Sequence, residues 1–246
     1  MPIDNTFIAV LTASGVSALV TCAGIYVIVK FAIWGQRNAA YFMGFAAGIL
    51  MTTSLMHLLP EAYEMSPQAP IWVLVGFMTL YISNRILHIY GIHDHHGTDL
   101  TLGVIPMIGI GIHSLLDGFI HTVTFNVSVF TGVLASIGMV LHEFPEGIVT
   151  FLLLARGGFS LKNAILWAVL AAGLTTPLGT LIAYPFVHQI EESILGVLLA
   201  FSAGALVYVG ATHLIPAMEK EERPNTLWAM FGGIAIALVI VFTSAH

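Results

Sequence analysis

The 246 residues are 58% hydrophobic and only 8% charged, whereas soluble domains carry about a quarter charged residues. So few charges exclude a water-facing surface for a chain of this size and point to the bilayer as its solvent. The net charge of −6 is spread over short loops and speaks against nucleic acid as a partner, and the single cysteine, Cys22, excludes an intrachain disulfide and any cysteine-based zinc cluster.

A spanning helix needs about 20 mostly apolar residues. Hydropathy and turn signals predict an all-α membrane protein, one domain over 1–246, with eight transmembrane segments. In chain order they are 7–30, 39–62, 70–90, 102–125, 129–155, 162–186, 191–217 and 225–245. Met1 to Phe7, ahead of the first, carries Asp4 and no Lys or Arg, unlike the positively charged start of a cleavable signal. The linkers are short and polar or marked by proline and glycine. The seven Lys and Arg residues (Lys30, Arg37, Arg85, Arg156, Lys162, Lys220 and Arg223) all fall on one side of such a layout. The opposite loops hold Glu61, Glu64, Glu191 and Glu192. Positive charge stays cytoplasmic, so both termini are expected outside, in the plasma (inner) membrane.

Segments 2 and 7 resemble each other. Between 44–60 and 200–216, at a constant offset of 156, seven of seventeen positions are identical: Phe45, Ala47, Gly48, Leu50, His57, Leu58 and Pro60. Five segments apart, the two copies run in opposite directions. A shorter echo joins segments 4 and 5, where His113-Ser-Leu-Leu-Asp117-Gly118 and His142-Glu-Phe-Pro-Glu146-Gly147 share the form His-x-x-x-acid-Gly. The expected plan is three segments, a central pair, then three more related to the first by inversion, a 3+2+3 architecture that many secondary transporters use.

Asp117, Glu143 and Glu146 are the carboxylates that fall mid-span. An unpaired charge there costs at least a few kcal/mol, so these groups need protons, cations or a wet cavity. Residues four apart share a helical face, which aligns His113 with Asp117 and His142 with Glu146. Two imidazoles and two carboxylates make a mixed nitrogen and oxygen site that suits zinc, iron or manganese better than calcium or magnesium. Ser114 and Glu143 form a weaker second site that shares Asp117 and Glu146. Pro145 is expected to kink segment 5.

Flanking histidines supply pathway candidates. His57 with Glu61 reads as an outer way in, and His213 with Glu219 as its inner counterpart. The recurring His-Leu-x-Pro reads equally as a helix-end structure. His88, His93, His95 and His96 gather at a cytoplasmic loop, 91–99, as an exit or a sensor, or as a solvated linker. His121 is either an outer waypoint or an interfacial side chain, the latter slightly favoured.

With these motifs in view, the chain resembles the ZIP family of zinc–iron transporters, in a bacterial or archaeal-type form. The likeness covers the whole chain. It implies divalent-metal import to the cytosol, zinc or iron, manganese or cadmium as cargo, no catalytic cofactor, homodimers, and a rigid-body movement of a transport domain. It also implies His113, Asp117, His142 and Glu146 as the primary site, with Ser114 and Glu143 completing the second. Many members have Asn where Ser114 stands, some add a carboxylate from segment 6, which here has none, and others carry His at the position of Glu146. Two rivals remain: a membrane-embedded zinc hydrolase, since His142-Glu143 begins like His-Glu-x-x-His, and a proton-coupled carrier of a small solute.

Overall fold

A computed structural model describes residues 5–31, 34, 37–89, 101–127, 129–189, 191–220 and 223–244. Among them there is no β-strand. Each expected segment contains a helix: α1 Asn5–Lys30, α2 Ala39–Met65, α3 Ala69–Ile89, α4 Thr101–Val127, α5 Val129–Arg156, α6 Leu161–Val187, α7 Glu192–Glu219 and α8 Thr226–Ser244. With no water to receive backbone N–H and C=O groups, a lipid-embedded chain must satisfy them within helices. Among the described residues, six of these helices, α1, α2, α3, α4, α6 and α7, are long and apolar enough to cross a membrane. The other two are α5, which carries Glu143 and Glu146 in its 28 residues, and α8, whose 19 residues include a shorter apolar run.

The packing follows a reciprocal scheme. α4 and α5 pack on each other; α5 lies along α1, and α4 along α6. α2 lies along α8, and α7 along α3. α7 also meets α4, and α2 meets α5.

Glycines set how close these pairs come. A Cβ on Gly204 of α7 would collide with the Val73 carbonyl of α3, and one on Gly48 of α2 with the Met230 carbonyl of α8. Gly76 faces the Phe201 carbonyl, and Gly233 faces that of Phe45. The central helices repeat the pattern: Gly147 abuts the Thr21 carbonyl of α1, and Gly118 the Thr176 carbonyl of α6. Lipid tails are as apolar as leucine side chains, so close backbone packing of this kind is what holds helices together in a membrane.

One sequence reading changes. His-Leu-x-Pro ends no helix. Pro60 and Pro216 lie inside α2 and α7, each just after a π-helical stretch, Ser54–Leu58 and Gly210–Leu214. A proline ring clashes with the carbonyl four residues back. Here the residue before each proline bonds five back instead, Leu59 N–H to Ser54 O and Ile215 N–H to Gly210 O. The widened turn takes up the ring and the helix continues. α6 also holds a π-helical stretch, Val169–Gly173, but it ends in a bend at Leu174, and Pro177 lies in the first turn of the α-helix that follows, Thr175–Ala183. Pro145 lies within the residues of α5 and Pro106 within those of α4.

If close backbone contact holds the helix pairs, Gly204→Val loses about 1–3 kcal/mol of stability, seen as a lower midpoint in thermal unfolding in detergent. Gly15→Ala, with nothing within 4 Å of the added carbon, leaves the midpoint unchanged.

Candidate metal centre

α4 and α5 each present one histidine and one carboxylate at the same point of their mutual contact. His113 Nε2 lies 3.5 Å from Asp117 Oδ2, one turn along α4, and 3.8 Å from Glu146 Oε2 on α5. His142 Nε2 lies 3.1 Å from the same Asp117 oxygen. One donor atom each of His113, His142 and Glu146 fall within 4.8 Å of one another. The two imidazole rings are 5.5 Å apart, centre to centre. His113, Asp117 and Glu146 are buried, and His142 is 11% exposed.

Neutral side chains orient this group. Ser202 of α7 lies 3.3 Å from His113 Nδ1, leaving Nε2 toward the acids. Ser114 donates to Glu146 Oε1 at 2.5 Å. Glu146 Oε2 is buried without a hydrogen-bond partner among the described residues. A carboxyl oxygen left without a partner in that position invites a cation. The donor set, two imidazole nitrogens with two carboxylates, matches the ligands zinc takes.

Glu143 turns another way. Thr21 of α1 donates to its Oε2, and Thr176 of α6 donates to Oε1 at 3.3 Å. All three side chains are fully buried. Ser114 thus bonds into the central group through Glu146, while Glu143 is bonded to threonines outside it. The threonines escaped sequence reasoning because buried hydroxyls are common in membrane helices. The available signal was positional, since Thr21 and Thr176 sit three residues before Gly24 and Gly179, the same offset of 155 in both cases.

The flanking candidates separate. His57 Nε2 is 3.8 Å from Glu61 Oε2, and the pair is partly exposed at 44% and 32%. His213 is buried, with Thr212 Oγ1 2.9 Å from its Nδ1 and the Tyr208 ring against it. His121, favoured as interfacial, is instead fully buried. Helix packing decides this, because α1 and α5 close over that face of α4. Ser17 Oγ lies 3.3 Å from its Nε2 and Ser136 Oγ 3.1 Å from its Nδ1. His93, His95 and His96 lie outside the described residues, as does the His88 side chain.

The family model described as ZIP zinc transporter matches residues 6–106 and 92–241. Zinc transporter ZIP13 of Pongo abelii is 26% identical over 211 residues, covering 77% of this chain and 62% of that protein. Zinc transporter YKE4 of Saccharomyces cerevisiae is 26% identical over 234 residues, 81% of this chain and 67% of its own. Zinc transporter ZupT of Escherichia coli O7:K1 is 26% identical over 220 residues, 77% of this chain and 78% of its own. The chain thus spans between about three fifths and four fifths of these relatives' lengths.

Removing either hydroxyl leaves a buried carboxylate oxygen short of a donor, which costs about 1–3 kcal/mol. Thr21→Val and Thr176→Val therefore lower the thermal midpoint, while Thr21→Ser and Thr176→Ser retain most of it.

Proposed function

The chain belongs to the ZIP zinc transporter family, and from that premise we propose that it carries divalent transition-metal ions, zinc foremost, across the bilayer into the cytosol through His113, Asp117, His142 and Glu146. The observation that carries the proposal is the convergence of His113, His142 and Glu146 donor atoms within 4.8 Å, with one Glu146 oxygen unpartnered beside them. Two carboxylates balance the charge of one divalent ion. An ion stripped of water at this depth thereby meets ligands and neutrality together, which offsets the cost of charge in a low-dielectric medium. His113 and His142 supply nitrogen, which favours zinc over harder ions. Iron, manganese and cadmium remain within reach of the same set.

Eight transmembrane helices in a 3+2+3 inverted repeat are part of the proposal. Exchanging α1–α3 with α6–α8 and α4 with α5 turns the α1–α5 contact into α6–α4, and α2–α8 into α7–α3. It also turns the Ser54–Leu58 π-stretch into Gly210–Leu214. Such a repeat gives two related arrangements around a fixed site, which is what alternating access needs. The gathering of the basic residues on one side supports a plasma-membrane orientation with both termini outside. His57 with Glu61 then lies on the outer approach and His213 on the inner side.

In this reading Ser114 and Glu143 serve a weaker second position. A second ion would have to take Ser114 from Glu146, or Glu143 from Thr21 and Thr176. Homodimers follow from the family resemblance. The relatives are named as transporters, which favours a carrier over a hydrolase.

Uptake of radioactive zinc into proteoliposomes tests the proposal. The wild-type chain should load the vesicles, and His142→Ala with Glu146→Ala should reduce uptake to the protein-free background. Ser114→Ala should keep most of it. Full uptake by the double variant would refute the assignment.

A further inference from the structure

The buried His121 cluster has no role in the site described above. Its imidazole is 0% exposed, and each ring nitrogen faces a serine hydroxyl from a different helix, Ser17 of α1 and Ser136 of α5. His113, Asp117 and His121 recur every fourth residue, so they line one face of α4. His121 therefore stands one turn from Asp117, toward the Val127 end of the helix.

An imidazole between two hydroxyls has a bland explanation as glue between three helices. The repeat argues against it. Positions related by the internal offsets hold Thr150 for His121, Met107 for Ser136 and Ala172 for Ser17. The glycines and threonines that position the helices recur in both halves: Gly118 with Gly147, Gly24 with Gly179, Thr21 with Thr176. The same helix contacts thus form in the other half without any imidazole or hydroxyl pair. Packing does not demand the cluster, and a buried polar group that packing does not demand needs another cause.

We infer that His121, with Ser17 and Ser136, forms a transit station for the metal ion one helical turn from the carboxylate site, on its outer side. The inference rests on the transport function and orientation proposed above. Neighbouring ligands on one zinc ion lie roughly 3.0–3.4 Å apart, given nitrogen and oxygen bonds near 2.1 Å. The imidazole–hydroxyl spacings of 3.3 and 3.1 Å therefore let an ion enter between ring and hydroxyl with little movement. A hydrogen bond has the same length, so the spacing permits the station while the broken repeat argues for it. One ring nitrogen binds the ion and the other stays bonded to the second serine, the usual way a ligating imidazole is oriented. The donors are neutral, so the ion is held weakly and passes on to Asp117. Sites along a conduction path must release as well as bind.

The test is uptake of radioactive zinc and manganese by the full chain in proteoliposomes, for wild type, His121→Gln and Ser136→Ala, with thermal midpoints alongside. Manganese depends less on imidazole nitrogen. His121→Gln should therefore lower zinc uptake about tenfold and manganese uptake much less, shifting the ratio of the two. Ser136→Ala should shift the ratio the same way by a smaller factor, and it carries the test if His121→Gln does not fold. An equal fall in both ions marks structural glue and overturns the station, as does unchanged uptake. A wild-type protein that carries neither ion removes the transport reading itself.

Discussion

Three buried carboxylates and one buried imidazole, with the 11%-exposed His142 beside them, lie where four helices meet, and the rest of the structure is arranged around that burden. Asp117 lies 3.1 and 3.5 Å from two imidazoles. Glu146 takes a serine hydroxyl, and Glu143 takes two threonine hydroxyls from opposite sides. A charge at this depth is costly unless it is paired. Glu146 Oε2 has no hydrogen-bond partner among the described residues and lies 3.8 Å from His113 Nε2.

Holding those groups in register requires close helices. Backbone-to-backbone approach at Gly118 and Gly147 brings α6 and α1 against the central pair. That approach delivers Thr176 and Thr21 to the same carboxylate. Glycine thus serves the site indirectly, because a side chain at either position would push the hydroxyls away from Glu143. The π-stretches act on a different scale, letting α2 and α7 carry proline in their interiors without ending.

The repeat explains which features are structural and which are local. Elements that recur at fixed offset, including glycine contacts, helix pairings and the π-turns of α2 and α7, belong to the architecture. Elements that occur once, such as the His121 cluster and the exposed His57–Glu61 pair, mark one side of the molecule as unlike the other.

The sequence alone determined the helical segments, because apolar runs of membrane length leave the backbone no alternative, and helix bounds shifted by only a few residues. It also determined the shared face of His113 with Asp117 and of His142 with Glu146, because four-residue spacing is a property of any α-helix. The tertiary structure decided what lies opposite each face. His-Leu-x-Pro reads locally as a breaker, and only the surrounding helix geometry shows the π-turn that carries α2 and α7 through it. His121 looked interfacial because periodicity does not say which helix covers it. The two threonines that α1 and α6 bring to Glu143 could not be read from α5 alone. Spacing along one helix is local geometry that residue types fix. The partner across a helix contact depends on crossing depth and rotation, which the packing of all the helices sets together.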